Sequence, residues 1–224
     1  MTALLLVRPH ALQWYFSDHN APLGVTLPPE AVNDLEIISE KILAETVTKA
    51  IRRPDGSGGS GVILVLTDEL CFTREWKDPK DIEETTKQVI AMTPFSHVAT
   101  TVLRTPKYTA VIGTNQDLYE AIARVLEPMG YGISAVVSWS GLVGSGITVS
   151  GEIDNVTVKR AFDNLGQLRA GAFPYVPDHT SAIVSKLPDQ VPSGQPKKLP
   201  WGWILFVGAA LLYAVIMLVF FLRG

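Results

Sequence analysis

The feature that most constrains this chain is its last apolar run. From Trp201 to Leu222 there are 22 residues without a charge, and Arg223-Gly224 follow. A helix rises ~1.5 Å per residue, so the run reaches roughly 33 Å, enough for a hydrocarbon core of about 30 Å. Helices buried in a globular core seldom run so far without a polar break. Trp201 and Trp203 stand at its start, where amphipathic rings favour the membrane interface. The run reads as one transmembrane helix over 201–222, anchored at its ends by Trp201, Trp203, Lys197, Lys198 and Arg223. Residues 188–200 carry four prolines in thirteen positions, which favours an extended tether. Residues 1–187 are then a body held to a membrane from its C-terminal side.

Flanking charge sets the orientation. Lys197 and Lys198 outnumber Arg223, so the body is expected on the cytoplasmic side of the cell inner membrane, as a single-pass protein. The apolar stretch at Met1–Val7 lacks a basic flank and breaks at Arg8-Pro9, unlike a signal peptide. The single cysteine, Cys71, excludes an internal disulfide and fits a reducing compartment. A net charge of −3 without a basic stripe gives no footprint for nucleic acid. Within the run, Ala210 and Ala214 are four apart, a small-residue spacing that suits contact with another helix.

The body alternates strand and helix signals. Ala3–Val7 and Leu12–Phe16 are apolar runs separated by Arg8-Pro9-His10-Ala11, which predicts a hairpin. Leu27-Pro28-Pro29-Glu30 leads into an expected helix of about 20 residues, with Val32, Leu35, Ile38, Ile42 and Val47 near helical spacing and an end at Ile51. Gly61–Thr67 reads as a strand, Asp68-Glu69 as a turn, and Leu70–Trp76 as the next strand. Asp78-Pro79 predicts a helix start, with Ile82, Thr86 and Val89 on one face. Val98–Leu103 and Tyr108–Ile112 are two more strands. Thr114 and Asp117 are spaced as a capping box for a helix carrying Leu118, Ile122, Val125 and Met129, ended by Gly130. Ile133–Trp139 is a strand, and Val158, Phe162, Leu165 and Leu168 suggest one further helix.

Reactive groups are sparse. The segment Asp55–Gly61 is glycine-rich but follows a helix, opens a strand and has no lysine, so it reads as a connector and not as a P-loop. Gly141–Gly146 follows a strand, but Ile147-Thr148-Val149 looks strand-like where a nucleotide site needs a helix N-terminus. His10, His19, His97 and His179 lack metal-ligand spacing. No Gly-x-Ser-x-Gly elbow is present. Cys71 inside a strand reads as a small buried hydrophobe, and Asp68-Glu69 as solvated turn residues. The expectation is no enzyme, no catalytic residue, no metal and no cofactor.

Four stretches carry a resemblance. They are Leu27-Pro28-Pro29-Glu30 before the first long helix, Val62–Arg74, Asp81 to Thr93-Pro94-Phe95, and Tyr108–Leu142 with its Glu127-Pro128-Met129-Gly130 turn. Together they resemble the PilM and GspL proteins, the actin-like components of type IV pilus and type II secretion assembly platforms. The resemblance covers about 140 residues by pattern and local wording. It implies a mixed α/β (α+β) fold: an actin-like, RNase H-like subdomain over 1–187 with a small inserted β-α-β-β subdomain at about 61–107. It implies inner-membrane pilus or secretion assembly proteins as partners, with a homo-oligomer as a further option.

Two departures bear on function. Actin-like ATPases use an Asp-x-Gly segment in the first hairpin for the phosphates, and here the segment is Val7-Arg8-Pro9-His10-Ala11. About 45 residues separate Leu142 from the tether, too few for a second lobe. ATP binding is therefore expected to be lost. The resemblance then implies a truncated, tail-anchored, non-catalytic scaffold that works through a sheet edge or groove of the body and through the span. The alternatives are a membrane-tethered enzyme and a generic tail-anchored adaptor of another partner.

Overall fold

The protein is described by a computed structural model over residues 2–18, 21–51, 60–76, 81–105, 108–147 and 153–176. All of these fall within the unit Met1–Ser185. The expected tether and span lie outside them, and with them Lys197, Lys198, Trp201, Trp203, Ala210, Ala214 and Arg223. Among the described residues no helix is long and apolar enough to cross a membrane.

The first hairpin forms as its two apolar runs predict. Thr2–Arg8 (β1) pairs antiparallel with Ala11–Phe16 (β2), with Leu5 opposite Trp14, and Leu23–Thr26 (β3) adds to β2. The long helix expected next is cut short. Val32–Asn33 (β4) and Glu36–Ile37 (β5) make a two-strand hairpin, and the helix proper is Glu40–Ile51 (α1). The apolar spacing at Val32, Leu35 and Ile38 serves a turn instead: Asp34 and Leu35 have φ of 48° and 67°, the left-handed pair that a two-residue hairpin loop requires. Aspartate tolerates that region, and leucine rarely enters it. The Leu35 carbonyl is held by Asn115 Nδ2 at 2.9 Å. Ser39 then supplies the helix start, its Oγ accepting from Ile42 N at 3.4 Å.

Ser60–Leu66 (β6) is followed by a single 3-10 turn at Asp68–Leu70 and by Cys71–Trp76 (β7). The next helix is Ile82–Met92 (α2), capped by Asp81, whose Oδ1 accepts from Glu83 N and Glu84 N at 2.9 and 3.1 Å. The expected cap, Asp78, lies outside the described residues. Val98–Arg104 (β8) and Thr109–Asn115 (β9) follow as predicted, then Gln116–Leu126 (α3). Its cap is Asn115, which accepts from Asp117 N at 3.0 Å. Thr114, expected in that role, is the penultimate residue of β9 and turns its hydroxyl to the Leu70 carbonyl at 2.8 Å. Gly130, at φ 85°, closes the turn after α3 in the left-handed conformation that its position needs.

Tyr131–Ser138 (β10) leads into a short helix, Trp139–Gly144 (α4). The one helix expected around Val158–Leu168 is two, Asn155–Asp163 (α5) and Leu165–Ala170 (α6). They separate at Asn164, whose side chain donates back to the Arg160 carbonyl at 2.8 Å.

The strands sort into a five-stranded sheet, β10-β6-β1-β2-β3, and a three-stranded one, β7-β9-β8, besides the small β4-β5 pair. β6 runs parallel to β1 and to β10, whereas the small sheet is antiparallel throughout. The mixed α/β class expected from the sequence is what the chain adopts. The boundary of the β-α-β-β piece is different from the expected 61–107. β6 belongs to the main sheet and β9 to the small one, so the run β7-α2-β8-β9 covers Cys71–Asn115. The physical reason is burial. Val62, Ile63, Leu64, Val65 and Leu66 are fully buried in succession, which only a strand covered on both faces allows.

Alternate residues of the main sheet feed two cores. Leu5, Val7, Trp14, Leu64 and Val136 face Leu43 and Val47 of α1 and Leu118 and Ile122 of α3. Leu4, Leu6, Ile63, Val65 and Val137 face Leu142, Val158, Ala161 and Leu168 of α4–α6. Asn115 couples α3 to the β4–β5 hairpin, since one amide caps α3 and also holds the strained turn at Leu35. Asn115→Ala removes both bonds and is expected to cost about 2 kcal/mol in urea unfolding. A loss no larger than that of a simple cap would mean that the Leu35 carbonyl finds water instead.

Candidate functional site

Open α/β sheets bind ligands outside the carboxyl ends of their strands, at the point where neighbouring connections leave in opposite directions. Here that point lies between β1 and β6, because β1 turns back into β2 on one side while the chain after β6 reaches β10 on the other. Three segments meet there: the Arg8-Pro9-His10 turn, Thr67-Asp68-Glu69 after β6, and Ser138-Trp139-Ser140 at the start of α4. A crevice of about 240 Å³ is lined by Leu6, Arg8, Thr67, Asp68, Glu69 and Trp139. Pockets for small organic ligands usually run from roughly 300 to 1,000 Å³.

The polar groups around the crevice are largely spent on each other. Arg8 Nε donates to Gln13 Oε1 at 3.2 Å, and the Tyr15 hydroxyl donates to the same oxygen at 3.2 Å. Ser140 Oγ donates to Asp68 Oδ1 at 2.9 Å, joining the ends of β6 and β10. Ser138 Oγ accepts from Gly141 N at 3.0 Å and so caps α4. Thr67 N donates to the Val7 carbonyl at 3.1 Å, and its Oγ1 is buried without a partner among the described residues.

A phosphate asks for converging backbone N–H groups and cations. The hairpin turn offers Pro9, which has no N–H. Arg8 is the one cation in the lining, and Asp68 and Glu69 set two carboxylates beside it. The residues described around this crevice therefore do not form a cradle for a nucleotide's phosphates. The glycines at 141–146 give no phosphate loop either, for a different reason from the strand expected at 147–149. Gly141 and Gly144 sit inside α4, and residues 148–150 lie outside the described part.

Candidate nucleophiles fare no better. Burial, and after it the charge of Asp68, pushes the Cys71 thiol up to about 12, so it stays protonated at neutral pH. The Tyr119 phenol is also raised, chiefly by burial, and donates to the Pro174 carbonyl at 2.7 Å. His97 Nδ1 sits 3.0 Å from Asp117 on the surface. Among the described residues no three of His, Cys, Asp and Glu come together as a metal site. Two larger grooves flank the small sheet. One of about 410 Å³ includes Leu103, Arg104, Gly144 and Gln167, and one of about 430 Å³ includes Ile38, Glu40, Asn115 and Arg124.

The Asp68–Ser140 bond joins residues 72 positions apart, so no local motif announces it. The Asn115 cap could have been read from the sequence, since asparagine before an amphipathic run is a strong cap signal.

No protein-family profile and no curated protein matches the chain. Solved structures similar to it include the following three. The PilM-PilN type IV pilus biogenesis complex matches at 14% identity and a TM-score of 0.41, over 63% of this chain and 48% of that one. The cytoplasmic domain of EpsL, an inner membrane component of the type II secretion system of Vibrio cholerae, matches at 14% identity and 0.36, over 63% and 55%. A protein of unknown function with an actin-like ATPase fold from Bacteroides thetaiotaomicron matches at 9% identity and 0.38, over 65% and 53%. The chain thus spans about half the length of each. The kind of protein that the sequence resembles is among the solved structures to which the chain is similar.

Proposed function

We propose that this chain is a membrane-anchored, non-catalytic component of an inner-membrane assembly platform of the type IV pilus or type II secretion kind. Its body would be an actin-like subdomain on the cytoplasmic side, and it would act as a protein-interaction scaffold for other inner-membrane assembly proteins. The observation that carries the non-catalytic part is the crevice between β1 and β6. At the place where a sheet of this topology holds its ligand, an arginine is turned to Gln13 and an aspartate to Ser140. The 22-residue uncharged run supports the anchor, and the four sequence stretches of the resemblance support the class of partner. A covalent span would replace a docking equilibrium with a high effective concentration at the membrane. The two grooves beside the small sheet are the surfaces best placed to receive partners.

Isothermal titration of the full chain in detergent with ATP and Mg²⁺ is expected to give no heat of binding at micromolar concentrations. Clear micromolar binding would overturn the non-catalytic reading. Purification from native membranes should bring down inner-membrane assembly proteins, and recovery of the chain alone would count against the scaffold.

A further inference from the structure

We draw no further inference here: the strongest candidate, the outer edge of β7 in the small sheet with the exposed Phe72 and Met92 beside it, carries none because nothing in the structure shows what covers it.

Discussion

Trp14→Ala is expected to destabilise the body by about 3–5 kcal/mol. Trp14 is fully buried at the centre of β2, stacked on Phe16 at 5.8 Å and tilted against Tyr131 at 5.3 Å. It therefore ties the first hairpin to the start of β10, far along the chain. Truncating a buried tryptophan costs about 3–5 kcal/mol, a large share of the 5–15 kcal/mol that a typical domain possesses. The indole N–H adds a second, sharper expectation. Nε1 is buried and has no hydrogen-bond partner among the described residues, so it contributes desolvation cost without a bond. Trp14→Phe removes that donor while keeping an aromatic ring between Phe16 and Tyr131, and should cost clearly less than Trp14→Ala. Urea unfolding followed by circular dichroism distinguishes the two variants. Equal, large losses would mean that the packing of the whole indole, and not its N–H, decides the site.

That contrast also explains which parts of the fold could be read in advance. β1, β2, β6 and β10 are runs of apolar residues bounded by turns, and α3 has apolar groups at helical spacing, so period and length alone identify them. Val32, Leu35 and Ile38 have helical spacing too, but the backbone there turns left-handed at Asp34 and Leu35. The outcome depends on Asn115, eighty residues away from Leu35, and no local pattern contains it. α4 was hidden for the opposite reason: its two glycines weaken the helical signal, and the Ser138 cap with a buried Leu142 restores it. Asp68 was legible as an exposed turn residue. Its bond to Ser140 depends on β6 and β10 being neighbours, and their adjacency is a property of sheet order. The boundary of the small β-α-β-β unit moved for the same reason, since the sequence shows that 61–66 is a strand but not which sheet takes it. The chemistry of the crevice was partly legible: the missing Asp and Gly in the first hairpin are visible directly, whereas the carboxylates that oppose a phosphate are not.

Replacing Leu211 and Leu212 together by arginine is expected to release the chain from the membrane. The run 201–222 holds thirteen Leu, Ile, Phe and Val residues. At a few tenths of a kcal/mol each, they favour insertion by about 4–8 kcal/mol in total. Leu211 and Leu212 stand at its middle, where each arginine costs about 2.5–3.5 kcal/mol, so the pair opposes insertion by about 5–7 kcal/mol and also removes two favourable residues. The balance falls close to zero, and the fraction resisting carbonate extraction should drop from nearly all to half or less. A single arginine at Leu222 is expected to do little, because a long side chain near the end of a span can reach the interface. Orientation is the companion expectation. Lys197→Gln with Lys198→Gln leaves Arg223 as the nearest flanking cation, so the body should become protected from externally added protease in inside-out vesicles, where the parent is expected to be cleaved. A double-arginine chain that still resists extraction would show that something other than this run holds it. The scaffold reading would then lose its anchor.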